Sequence, residues 1–194
     1  MDLTPKVGDA LLIVDVQRDF LPGGKLGVPE GHAVVPVLNR YIEMARAKEL
    51  PVFASRDWHP QTHCSFTPQG GPWPQHCLAG SPGAQFAEGL NLPPDVEVID
   101  KATREEVDAY SAFSGTELAD TLRRRGVRRV LVGGLATDYC ILNTVRDALR
   151  EGFDVVVLDD AIRAVNVDPE DGARARQEME TRGAVLARYE EITA

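Results

Sequence analysis

The chain has 194 residues, 43% hydrophobic and 26% charged, the balance of one ordinary globular domain over 1–194. Acidic side chains number 30 against 21 basic ones, and the net charge of −9 sets aside nucleic acid and anionic membrane surfaces as main partners. Three cysteines are too few for a disulfide framework, no apolar run could span a bilayer, and the first residues show no secretory pattern, so a cytoplasmic setting is expected.

Ala10 to Val14 is a continuous apolar run, as in a strand buried on both faces. Val34, Leu38, Ile42 and Ala45 recur at helical spacing and predict a helix over about 34–48. Short strands are expected at 51–55 and 96–99. Ser114-Gly115-Thr116-Glu117 has the form of a capping box and predicts a helix to about Arg125, stopped by Gly126. A strand at 127–132, a helix over about 137–150 ending at Gly152, and a strand at 155–158 follow. Asp168-Pro169-Glu170 puts proline at the first position of a last long helix, and 184–187 reads as a sixth, edge strand. Strands alternating with helices predict an α/β fold, a parallel sheet covered on both faces. Ligands of such sheets bind beyond the carboxyl ends of the strands. That rule selects Asp15 to Phe20, Arg56 onward, Asp100-Lys101, Gly133 to Cys140, and Asp159-Asp160.

After Arg56 the periodicity is lost, and the insert 57–83 holds three of the four histidines and both tryptophans. Asp57-Trp58-His59, His63-Cys64 and His76-Cys77 supply a carboxylate and imidazoles, donors suited to zinc, iron or manganese. Asp57 and His59 point the same way in an extended segment, and His76 must fold back to meet them. Two other readings stand beside this one. The histidines are solvated or packed in the core, or Cys64 and Cys77 complete a closed structural zinc site, although no C-x-x-C pair is present.

Cys140 falls between a strand and a helix, where the positive end of the helix dipole favours thiolate. The preceding turn could aim backbone N–H groups at a developing oxyanion. The alternative is a small buried hydrophobe. Asp15 and Lys101 are charges at strand ends, either an ion pair tying two strands or a base and a cation beside the Cys140 nucleophile. Gly133-Gly134 lacks the spacing of a dinucleotide loop, and the basic run from Arg123 to Arg129 begins at a helix C-terminus, where cations suit the dipole.

Four stretches together resemble the isochorismatase-like cysteine hydrolases, and within them the nicotinamidases. They are Asp15-Val16-Gln17-Arg18-Asp19-Phe20, Arg56-Asp57-Trp58-His59-Pro60 with His63-Cys64-Ser65-Phe66, Trp73-Pro74-Gln75-His76-Cys77, and Gly134-Leu135-Ala136-Thr137-Asp138-Tyr139-Cys140. Lys101 and Asp108-Ala109-Tyr110-Ser111-Ala112-Phe113 support them, and the likeness runs from Ala10 to about Ala187. It implies a Rossmann-like, three-layer α/β/α fold around a mainly parallel six-stranded sheet. It implies hydrolysis of nicotinamide to nicotinate and ammonia, a step of NAD salvage, with pyrazinamide as a second substrate. Carried over, Asp15 is the base, Lys101 the cation and Cys140 the nucleophile. Asp57, His59 and His76 match ligands of one divalent metal ion, zinc first and iron or manganese as alternatives, with His63 as an additional ligand in some members. The Leu135–Ala136 peptide matches a cis bond, and the N–H groups of Ala136 and Cys140 form the implied oxyanion hole. Phe20, Trp73 and Tyr110 are expected to line the pocket and stack on the ring, with ordinary core packing as the alternative.

Ala102 departs from the glycine that many members carry after the lysine, and Cys64 and Cys77 receive no role. The rival readings are a metal-free carbamoyl or ureido amidohydrolase on the same fold, and a non-catalytic zinc-binding protein. A homo-oligomeric assembly stays open.

Overall fold

β1 (Asp9–Val14) pairs in parallel with β2 (Val52–Asp57) on one side and β4 (Arg129–Leu135) on the other. With β3 (Glu97–Lys101), β5 (Asp154–Arg163) and β6 (Val185–Ala187) the order is β3-β2-β1-β4-β5-β6 in the computed structural model, which describes residues 2–193. Every neighbouring pair in this sheet is parallel, beyond the mainly parallel sheet expected.

Alternation along β1 divides the core. Leu11 and Ile13 face α1 (Val34–Ala47), which presents Val34, Leu38, Tyr41, Ile42 and Ala45. Ala10, Leu12 and Val14 face the opposite layer, built from α2 (Leu118–Arg124), α3 (Leu142–Arg150) and α4 (Asp171–Thr181). A short α5 (Tyr189–Ile192) returns Ile192 to the α1 side. Each large aliphatic side chain so buried contributes about 1.5–3 kcal/mol. No described helix is long and apolar enough to cross a membrane.

Three expectations shift. The capping box at 114–117 does not form. The Thr116 hydroxyl donates to Ala112 O (2.7 Å) and accepts the Leu118 N–H (3.3 Å) within the turn, so α2 begins only at Leu118. Pro169 lies before α4 rather than at its first position, in a turn where the Asp168 carboxylate accepts the Glu170 N–H at 2.9 Å. β5 continues to Arg163 instead of ending at Leu158, so Asp159 and Asp160 are strand residues. Asp159 pairs with Arg176 at 2.6 Å, and Asp160 accepts the Tyr41 hydroxyl at 2.7 Å. Both carboxylates serve packing between layers, not the strand-end site.

The sheet delivers four chemical groups to one edge. Asp57 ends β2, Lys101 ends β3, Asp15 follows β1, and Cys140 sits just beyond β4. Gly134 allows this convergence. Its φ is +130°, and a Cβ there would fall 2.1 Å from Val14 O, immediately before Asp15.

Candidate active site

Asp15 leaves β1 with φ 51°, a left-handed conformation that aspartate tolerates better than most residues. Its N–H donates to Ser55 O (3.1 Å), and the Ser55 hydroxyl donates to Asp15 Oδ1 (2.7 Å). Lys101 Nζ lies 2.9 Å from Asp15 Oδ2, donates to Ala109 O at 3.1 Å, and stands 3.6 Å from Cys140 Sγ. It also contacts the Asp57 carboxylate. One buried ammonium therefore serves two carboxylates and a thiol.

Burial pushes the Asp15 carboxyl above its ordinary range, and Lys101 offsets only part of that push. Burial opposes the Lys101 charge too, yet Asp15 and Asp57 outweigh it and hold the ammonium firmly protonated. Burial likewise raises the Cys140 thiol well above normal, against the pull of Lys101. The residue is enclosed in a π-helical turn (Thr137–Ile141) ahead of α3. A resting thiolate, expected from the helix terminus alone, is not favoured here. The thiol needs a neighbouring base to become a nucleophile.

Asp57, His59 and His76 bring one donor atom each to within 4.8 Å of one another, and all three are buried. His59 Nδ1 lies 3.3 Å from Ala102 O, and His76 Nδ1 lies 2.8 Å from Pro74 O. A carbonyl only accepts, so each Nδ1 carries the hydrogen and each Nε2 keeps its lone pair. Those lone pairs face Asp57 Oδ2, at 3.4 Å from His59 and 3.9 Å from His76. His59 Nε2 is buried with no hydrogen-bond partner among the described residues. An orphaned imidazole nitrogen beside a second imidazole and a carboxylate fits a divalent cation with open positions for further ligands. Ala102, where glycine was the family expectation, keeps a left-handed φ of 52° and supplies the carbonyl that orients His59.

His63 stacks beside His59, with ring centroids 4.3 Å apart, but both its nitrogens are engaged. Nδ1 meets Ser65 Oγ at 2.7 Å and Nε2 meets Val107 O at 3.2 Å. Neither Cys64 nor Cys77 joins the donor group.

Between the metal group and Cys140 opens a small cavity of about 70 Å³, lined by residues of both groups. Phe20, Trp73 and Tyr110 all line it. The Trp73 indole donates to the Tyr110 hydroxyl at 2.9 Å, and Phe20 lies 5.6 Å from the His76 ring. Ala136 lines it as well, directly after a cis Leu135–Ala136 peptide.

Sequence reasoning missed several residues. Tyr139 packs edge-on against Trp73 at 5.4 Å and forms part of the wall, although it lies inside a quoted motif. Leu26, Gly27 and Val28 form another wall, from a segment with no periodic signal. Gln17 is fully buried, and its amide accepts the Asp57 N–H (2.8 Å) and donates to Asp57 O (2.8 Å). Its place inside the quoted Asp15–Phe20 stretch, three residues after the end of β1, was the hint of this clamp.

An isochorismatase domain matches residues 9–191. The nicotinamidase of Escherichia coli is 42% identical over 198 aligned residues, covering 91% of this chain and 93% of that protein. The pyrazinamidase of Pyrococcus horikoshii, solved in complex with zinc, superposes with a TM-score of 0.90 at 47% identity, covering 94% of this chain and 99% of that one. A protein of L. infantum solved in complex with nicotinate gives a TM-score of 0.87 at 38% identity, covering 97% and 96%. The chain belongs to the isochorismatase family.

Proposed function

We propose that this isochorismatase-family chain hydrolyses nicotinamide to nicotinate and ammonia through a cysteine thioester, a step of NAD salvage, and accepts pyrazinamide as a second substrate. The observation that carries the reading is Lys101 Nζ at 2.9 Å from Asp15 and 3.6 Å from Cys140, on a cavity whose other wall holds Asp57, His59 and His76. The relatives named nicotinamidase and pyrazinamidase support the substrate.

Asp15 takes the proton of the Cys140 thiol, and the thiolate attacks the carboxamide carbon. The N–H groups of Ala136 and Cys140 receive the negative charge on the amide oxygen, each donor contributing about 3 kcal/mol. Asp15 then returns its proton to the departing nitrogen, which leaves as ammonia. Asp15 next takes a proton from water as that water attacks the thioester. The C–S bond breaks, the proton on Asp15 returns to the sulfur, and the acid leaves as nicotinate with its remaining proton lost to solvent. Lys101 stays charged throughout and steadies both the carboxylate and the thiolate.

Asp57, His59 and His76 would hold a divalent ion, with zinc as first choice, and the ion would supply a Lewis acid for the pyridine nitrogen. Phe20, Trp73 and Tyr110 line the cavity and orient the flat ring toward Cys140. His63 serves by buttressing His59. The whole chain works as one domain in the cytoplasm, with the insert at 57–83 carrying all three metal ligands, Asp57 at the end of β2 and His59 and His76 beyond it.

The test is ammonia release from nicotinamide by purified, zinc-supplemented protein. Turnover near 1 per second or faster is expected, within the common range for enzymes. Absence of release from protein that has bound zinc overturns the substrate, and ureido and carbamoyl compounds then take its place.

A further inference from the structure

Asp19 is a carboxylate only 9% exposed, and the mechanism above makes no use of it. Among the described residues it has no cationic partner. A buried carboxylate in that position must be held by hydrogen bonds. Its Oδ2 accepts the Cys77 N–H at 2.8 Å, and its Oδ1 faces the Lys25 N–H at 3.4 Å. Its backbone carbonyl accepts the Leu26 N–H at 2.9 Å.

The first of these bonds falls at a decisive place. Cys77 is the residue after His76, and its own carbonyl accepts the His59 N–H at 3.0 Å. It adopts φ 46°, a conformation that a cysteine does not choose unaided. The bond to Asp19 thus holds a residue joined to both histidines, by a peptide bond on one side and a hydrogen bond on the other. A third segment closes over the carboxylate. A Cβ on Gly83 would fall 2.2 Å from Asp19 Oδ2, so the turn at 81–84 tolerates only glycine there while Asp19 stays in place.

We infer that Asp19 is a positioning residue of the metal group. Its carboxylate sets the Cys77 turn and so the aim of His76 and His59. Its backbone anchors the start of the Leu26–Val28 wall. The inference rests on the metal reading above and adds a residue to it.

The test is zinc affinity, measured on chelator-stripped full-length protein by competition with a chromophoric chelator, beside thermal unfolding of the same metal-free samples. Asp19→Ala is expected to bind zinc 10–100-fold more weakly, the usual loss when a partner of a metal ligand is removed. Gly83→Ala leaves Asp19 in the sequence but displaces its carboxylate, and a loss of similar size is expected. Asp19→Asn keeps an acceptor for the Cys77 N–H and is expected to stay within a few-fold of the parent. Parent-like zinc affinity in Asp19→Ala overturns the inference, and so does a loss in Asp19→Asn as large as in Asp19→Ala. A lowered melting temperature with unchanged zinc affinity assigns Asp19 a structural role only, which also overturns it. Should Asp19→Ala fail to fold, Gly83→Ala and Asp19→Asn decide by the same criteria. A parent protein that binds no zinc defeats the metal reading itself, an outcome distinct from parent binding with indifferent Asp19 variants.

Discussion

β1 has an aspartate at either end, and the two are used in opposite ways. At the amino end, Asp9 and Arg129 form a two-point pair, with Arg129 Nε at 2.9 Å from Oδ1 and Nη2 at 2.5 Å from Oδ2. The surplus donors of Arg129 go to Asp2 O (2.8 Å) and Thr4 O (3.0 Å), and the Lys6 N–H reaches Asp9 Oδ2 at 2.8 Å. Each guanidinium nitrogen and both carboxylate oxygens there have a partner. At the carboxyl end, one lysine is divided between Asp15 and Asp57, and a cavity opens beside it. A saturated pair can only hold strands together. An undersupplied pair keeps the capacity to exchange a proton. The difference lies in the hydrogen-bond complement of each end and not in residue type.

Four substitutions test that contrast, beginning with the largest effect. Cys140→Ala removes the bond-forming atom, and kcat is expected to fall by about 10⁴-fold or more while nicotinate still binds in calorimetry. Ammonia release at the parent rate would end the covalent scheme. Asp15→Asn is expected to lower kcat by about 10²–10⁴-fold without lowering stability in urea. The folded carboxyl sits above its unfolded range, so its charge costs stability at neutral pH, a cost that vanishes below the ordinary carboxylate range. The same shift moves the acid limb of kcat/KM above the ordinary carboxylate range, as a pH–rate profile would record.

Asp9→Asn should give the mirror image, a loss of about 3 kcal/mol in urea unfolding with kcat unchanged. A fall in kcat matching that of Asp15→Asn would erase the distinction between the two ends. The smallest effect belongs to Glu178, held down to about 2 by Arg146 and Arg182 between α3 and α4. Its contribution exists above the ordinary carboxylate range and is lost as pH falls toward 2. Solvent screens the pair, so Glu178→Gln should cost no more than about 1 kcal/mol at pH 7, and nothing near pH 2.

The elements were largely legible because periodicity is local. The run at 10–14, the spacing of Val34, Leu38, Ile42 and Ala45, and the alternation of strands and helices all survive in the fold. The shifts came where a side chain had a choice of partner. Thr116 bonded backward to Ala112, Pro169 stayed in its turn, and Asp160 paired with Tyr41 across layers. No spacing rule ranks such options.

The candidate site divides in the same way. Strand-end position gathered Asp15, Lys101 and Cys140 as candidates, and loop composition gathered Asp57, His59 and His76 together with His63, Cys64 and Cys77, because carboxylate, ammonium, thiol and imidazole declare their chemistry in one dimension. The family resemblance narrowed the loop set, and the fold brings Asp57, His59 and His76 together. Three matters belonged to tertiary structure alone. The carbonyls of Ala102 and Pro74 settle which imidazole nitrogens stay free. The depth of burial pushes the Cys140 thiol up, against the helix dipole. Gln17 and Asp19, unremarkable in a sequence, grip the backbones of Asp57 and Cys77 across 40 and 58 residues of chain. A hydrogen bond depends on where two atoms meet in space, and the sequence records only which atoms are available to meet.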